Sequence, residues 1–146
     1  MGHPYEFEHA TDQFYKLLVD ARDFASLSTT NQSYTMVQGV LQVFRRRLSV
    51  RDVIHFCQCL PAVAQAILIR EWDVDEPIRP FGSLEEMNAE VHSLRPLHNF
   101  APPDSIGPVA AALRKNVDPI RFEQTLSQLP AEAQAFWMTN TAAPQG

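Results

Sequence analysis

The sequence contains little cysteine, no long hydrophobic run and no excess of basic residues. Its two cysteines are too few for the disulfide framework of a small secreted domain, so a reducing, cytoplasmic environment is expected. The longest apolar stretch, residues 60–69, is interrupted by Pro61 and Gln65 and is far shorter than the roughly 20 residues of a membrane-spanning helix. A net charge of −5 argues against nucleic acid as the main partner.

The sequence contains enough apolar residues to form a hydrophobic core. Of its 146 residues, 45% are hydrophobic and 10% are aromatic, which argues against intrinsic disorder. A chain of this length forms one compact domain and buries about two-thirds of its unfolded surface. We therefore expect a single domain that folds without a metal or a disulfide.

Apolar residues recur with the helical period along most of the chain. The predicted helices cover, in order, about residues 12–23, 36–47, 49–60, 61–70, 83–94 and 106–116, followed by two that begin at Asp118–Pro119 and at Pro130. Thr11 and Ser49 are the expected N-caps of the first and third helices, and Ser83 with Glu86 forms a capping box. No Asn-Gly or Asp-Gly turn joins alternating runs, so the prediction is an all-α fold of about eight helices.

One segment matches another that lies 69 residues later. LPAVAQAI at residues 60–67 recurs as LPAEAQAF at 129–136, and the same offset aligns the expected N-caps Ser49 and Asp118. We interpret the match as two pseudosymmetric four-helix repeats that share one core within one domain. The predicted parts are repeat one at about 10–70, a linker at about 71–82, repeat two at about 83–138 and a flexible tail at 139–146.

A set of caps and turns is similar to the pattern of a known family. It comprises FRRRLSVRD at 44–52, QCLP at 58–61, Trp72 and FGSLEEM at 81–87, with a second Gln-Leu-Pro at 128–130. Over about residues 10–138, this pattern resembles the bacterial family called domain of unknown function 2267. That family has Gly-Trp where this chain has Glu71 followed by tryptophan. The resemblance implies an all-helical, bacterial, cytoplasmic protein and supplies no catalytic residues.

Four residues are the candidates for an interaction site. Arg45, Arg46 and Arg47 form a basic run suited to phosphate or an anionic partner. The run also lies at the end of a predicted helix, where cationic side chains are attracted to carbonyls that have no partner within the helix. We prefer this structural interpretation. Trp72 is expected to close the core or, alternatively, to anchor an interface.

The remaining reactive residues do not form a recognisable site. Side chains two positions apart on a helix point about 200° apart, so Cys57 and Cys59 cannot both face one ion. His55 and Cys59 share a face but are only two of the four ligands of a structural zinc site. The acidic residues at 71–76 lack the glycine and the later glutamate of a calcium loop. We therefore predict no metal, cofactor or catalytic residue.

The sequence favours a non-catalytic helical interaction or scaffold module. The reasons are the paired repeats and the apolar residues in predicted loops, such as Ile78, Phe81 and Phe100. Such a module would form a homo-oligomer or bind an unidentified protein partner. The alternative is a regulatory domain that binds a small ligand between the two halves. An enzyme is the least expected of the three.

Overall fold

The fold was analysed in a computed structural model, which describes residues 5–94 and 103–138. The helices in these ranges are α1 (Tyr5–Glu8), α2 (Ala10–Phe24), α3 (Thr30–Arg45), α4 (Val50–Cys57), α5 (Ala62–Ile69), α6 (Leu84–Ser93), α7 (Ile106–Lys115), α8 (Pro119–Ser127) and α9 (Ala131–Phe136). These ranges contain no strand, and the predicted all-α fold is confirmed. The expectations for Phe100 and for a tail at 139–146 concern residues outside the described ranges.

Three helices, α4, α6 and α8, begin directly after predicted capping residues. Ser49 accepts a 3.2 Å hydrogen bond at its Oγ from the main chain of α4. Ser83 and Glu86 form both halves of a capping box at the start of α6. Asp118 caps α8 through a 3.0 Å bond, with Pro119 at the first helical position. Each cap satisfies main-chain N–H groups that a helix leaves without an internal partner.

Two predicted starts are wrong. The predicted N-cap Thr11 lies inside α2, which begins one residue earlier, at Ala10. Helix α3, the second of the predicted helices, begins six residues before Met36, because Thr29 and Gln32 form a capping box there. The apolar period begins only further along the helix, so the pattern alone placed this start too late. The short helix α1 was not predicted either.

The core lies between helices from the two halves of the sequence. Helix α2 packs against α7, α3 packs against α6, and α4 packs against α8. Trp137 is completely buried, stacks on Phe56 with ring centroids 5.5 Å apart and lies edge-on to Phe44 at 5.1 Å. Gly39 allows α3 to approach α6 closely, because a Cβ at this position would lie 3.0 Å from Cγ1 of Val91. One continuous core therefore joins both halves.

The two segments that match in sequence also make the same hydrogen bond. Gln65 donates from Nε2 to the carbonyl of Leu60 at 2.8 Å, beside the start of α5. Gln134 donates from Nε2 to the carbonyl of Leu129 at 3.0 Å, beside the start of α9. The paired bonds and the helix packing are compatible with the predicted pseudosymmetric repeats.

Candidate interaction surface

Arg45 lies inside the protein, although it is one of the candidate interaction residues. It is 6% exposed and donates from Nη1 to the carbonyls of Leu68 at 2.8 Å and Arg70 at 3.1 Å. Its guanidinium carbon lies 5.8 Å from the ring centroid of Trp72. Burial, together with the charge of Arg46, lowers the pKa of Arg45. The side chain therefore binds the C-terminal end of α5 and holds Trp72 beside it.

Arg46 and Arg47 converge on a single carboxylate, that of Glu90 in α6. Arg47 lies 2.8 Å from Glu90 Oε1, and Arg46 lies 3.1 Å from Oε2. Arg79 of the linker reaches the same carboxylate at 3.5 Å, and Glu76 lies 3.8 Å from Arg46 and from Arg79. Burial raises the pKa of Glu90, but the hydrogen bonds from Arg47 and Arg46 outweigh it and lower that pKa. The cluster ties the linker and α6 to the end of α3.

The second half contains a similar arginine, 69 residues after Arg45. Arg114 donates from Nε to the carbonyl of Trp137 at 3.0 Å and so binds the C-terminal end of α9. Its guanidinium carbon lies 5.0 Å from the ring centroid of Phe122, and it also forms an ion pair with Glu123. Arg45 and Arg114 therefore perform the same structural task in the two halves.

Asp20 of α2 makes the reciprocal connection across the two halves. It accepts a 2.8 Å hydrogen bond from Asn116 and lies 3.4 Å from Lys115, both at the end of α7. Burial raises the pKa of Asp20, but the hydrogen bonds from Asn116 and Lys16 outweigh it and lower that pKa. Asp20 on α2, in the first half, thus binds the end of α7 in the second half. In the same way, Glu90 on α6, in the second half, binds the end of α3 in the first half.

Apolar side chains surround a small cleft beside Trp72. The cleft has a volume of about 40 Å³, and Val50, Val74 and Ile78 line it together with Trp72. These three side chains are 41%, 55% and 59% exposed, and Ile54, one turn further along α4, is 53% exposed. We call these five residues the Trp72 surface. Such a group of exposed apolar side chains is typical of a site at which proteins associate.

Charges of both signs border the Trp72 surface. Arg51 follows Val50 on α4 and is exposed. Asp73 and Asp75 flank Val74 in the linker and are also exposed. On the α4 side, the exposed charged side chain is that of Arg51. On the linker side, Asp73 and Asp75 are exposed and form no ion pair with the described residues, whereas the exposed Arg79 is paired with Glu76 and Glu90.

Glu71 has the left-handed main-chain conformation, with a φ of 53°. This conformation favours glycine, because a Cβ collides with the neighbouring carbonyl in it. The family pattern that the sequence resembles has glycine at this position, and Glu71 adopts the left-handed conformation that glycine favours. The ring of Trp72 lies against Arg45.

The two cysteines lie in the interior of the protein. Cys57 and Cys59 are both free and buried, and burial raises the pKa of Cys59 to about 11. Within residues 5–94 and 103–138, no three side chains of the histidine, cysteine, aspartate and glutamate types come together as a metal site.

The chain matches a known protein family over most of its length. A family model described as uncharacterized conserved protein (DUF2267) matches residues 14–136. The chain belongs to the DUF2267 family. A comparison with curated proteins finds no match. The family resemblance drawn from the caps and turns is therefore confirmed, and it leaves the function to be inferred from the structure.

The sequence of this DUF2267 protein marked Arg46 and Arg47 as candidates but did not reveal their partner, Glu90. The partner lies 43 positions from Arg47, and only the packing of α3 against α6 brings the two together. The sequence around Glu90 contains no motif that marks it. Among the described helices of this DUF2267 chain, none has the length and hydrophobicity needed to cross a membrane.

Proposed function

We propose that this DUF2267 protein is a non-catalytic helical interaction module of the cytoplasm, and that two copies associate through the Trp72 surface. One observation carries the proposal. Four neighbouring apolar side chains, those of Val50, Ile54, Val74 and Ile78, are each at least 41% exposed. Their burial against a partner would remove apolar area from water, which is the main driving force of association.

Contacts within the protein hold the Trp72 surface in one conformation. Arg45 lies against the Trp72 ring, and the main-chain N–H of Arg79 donates to the carbonyl of Arg46 at 2.9 Å. Glu76 adds ion pairs to Arg46 and Arg79. A surface that is already ordered loses little conformational entropy on binding, so more of the apolar contact contributes to affinity.

The arrangement of charges favours a second copy of the chain as the partner. In a twofold interface whose axis runs between the α4 side and the linker side, the α4 side of one surface faces the linker side of the other. Arg51 of each copy would then lie opposite Asp73 or Asp75 of its partner. A surface with basic residues on one side and acidic residues on the other is complementary to itself.

Sedimentation velocity of the full chain tests this proposal. We expect the wild type to sediment as a dimer at high micromolar concentration, and Val74→Asp with Ile78→Asp to sediment as a 16.5 kDa monomer. Ile120→Asp is the matched control, because Ile120 is 70% exposed on α8 and lies outside the Trp72 surface. A wild type that remains monomeric, or a control that dissociates equally, would contradict the proposal.

A charge exchange tests the orientation of the two copies. Arg51→Asp should weaken the dimer because it places like charges opposite each other. Combining it with Asp75→Arg should restore the dimer, since the signs are then exchanged on both sides. If Arg51→Asp and Asp75→Arg each weaken the dimer and the double variant does not restore it, the twofold orientation is excluded. That result would leave the apolar contact itself untouched.

A further inference from the structure

An open groove of about 400 Å³ lies between α6 and α9, away from the Trp72 surface. The groove is lined by Phe81, Gly82, Leu84, Met87, Glu132, Ala135, Phe136 and Met138. Met87 and Phe136 are 6% and 3% exposed and form its base, whereas Leu84 and Met138 are 54% and 69% exposed and form its edges. We call this space the α6–α9 groove. Its volume lies in the range of about 300–1,000 Å³ that small-molecule sites occupy.

Among the described residues that line this groove, Glu132 carries the one charged side chain. Glu132 lines the groove and makes no hydrogen bond or ion pair with any residue that the structure describes. The Glu86 carboxylate lies beside Gly82, one of the groove residues, with its oxygens 3.5 Å from the position that a Cβ on Gly82 would take. Hydrogen bonds from Ser83 lower the pKa of Glu86, so this carboxylate is ionised at neutral pH. The edge of the groove therefore carries negative charge above an apolar base.

We propose that the α6–α9 groove binds a small amphiphile with an apolar body and a single cationic head group. The apolar body would lie on Met87 and Phe136, and the cation would lie beside Glu132. The Glu132 carboxylate would repel an anionic head, and an uncharged head would gain no charge contact with it. No residue of the Trp72 surface lines this groove, so the site does not depend on the proposed self-association.

Methyl NMR of the full chain, labelled with ¹³C at its methionine methyl groups, tests the site. The probe is decyltrimethylammonium, titrated below its micelle concentration. The signals of Met87 and Met138 should shift saturably, whereas that of Met36, which is 1% exposed in the core, should not. Decyl sulfate should bind more weakly by at least about fivefold, because it replaces an attractive charge contact with a repulsive one. Equal binding of both amphiphiles, or no saturable shift, would overturn the proposal.

Two pairs of variants separate the groove from non-specific binding. Ala135→Phe should fill the groove and abolish binding, whereas Ala66→Phe, at the exposed position 69 residues earlier, should leave it unchanged. Glu132→Gln should weaken binding of the cation about twofold to fivefold, whereas Glu71→Gln should not. Circular dichroism confirms that each variant is folded. Binding that survives Ala135→Phe in a folded variant would overturn the assignment of the groove.

Discussion

The guanidinium of Arg45 donates a 2.8 Å hydrogen bond to the main-chain carbonyl of Leu68, and the arginine is 94% buried. The last carbonyls of a helix have no partner within the helix, and a guanidinium offers five N–H donors to them. Arg114 makes the corresponding bond to the carbonyl of Trp137. The basic run noted in the sequence therefore begins with a side chain that stabilises the fold.

We expect Arg45→Met to lower the free energy of unfolding by about 2 kcal/mol. The methionine fills part of the space but leaves the carbonyls of Leu68 and Arg70 without their donor. Arg114→Met should cost less, about 1 kcal/mol, because the Arg114 side chain is 30% exposed and water can replace its contacts. Urea unfolding followed by tryptophan fluorescence measures both. Equal losses for the two variants would contradict the difference in burial.

The Glu90 cluster should make stability depend on acid pH. Its pKa is lowered in the folded protein, so the Glu90 contribution is complete above the pKa of the unfolded chain, about 4.3. That contribution is lost as the pH falls through the lower, folded pKa. At pH 7, Glu90→Gln should lose about 2 kcal/mol, since charged hydrogen bonds to Arg46 and Arg47 are removed.

Urea unfolding at pH 7, 5, 4 and 3 measures this dependence. The difference in stability between the wild type and Glu90→Gln should shrink as the pH falls below about 4.3. Glu132→Gln is the control, because the exposed Glu132 makes no ion pair with the residues described. A difference for Glu90→Gln that stays constant from pH 7 to pH 3 would show that charge pairing is not its cause.

Glu71→Gly should stabilise the protein. Glu71 has a φ of 53°, and this left-handed conformation costs a residue with a Cβ about 1 kcal/mol relative to glycine. The greater freedom of glycine in the unfolded chain offsets part of the gain, which leaves about 0.5 kcal/mol. Thermal unfolding followed by circular dichroism should show a higher midpoint for Glu71→Gly and no gain for Glu71→Ala. A gain of equal size with alanine would exclude the main-chain conformation as its source.

We expect the two halves of the chain to depend on each other for folding. Helix α2 packs against α7 and α3 packs against α6, so each half alone would expose its main apolar faces. Separate fragments 1–75 and 76–146 should have little helical circular dichroism and should regain it when mixed in equal amounts. A fragment that folds alone with a cooperative thermal transition would contradict the interlocked arrangement and the shared core of the proposed repeats.

The local sequence determined the helices and most of their ends. Ser49, Ser83 and Asp118 cap their helices through side-chain bonds that span only two or three residues, so a short stretch of sequence contains all the information. The start of α3 was predicted too late because Thr29 caps a turn that precedes the apolar period.

The tertiary structure decided what the candidate residues contact. Arg45 and Arg47 lie two positions apart in an uninterrupted basic run, but Arg45 binds a carbonyl of α5 and Arg47 binds Glu90. These partners lie 23 and 43 positions away, and no local pattern encodes such distances. Likewise, Val50 and Ile78 belong to one exposed surface only because the linker folds back onto the start of α4. Long-range packing therefore decides which charges are buried in the fold and which apolar side chains remain available to a partner.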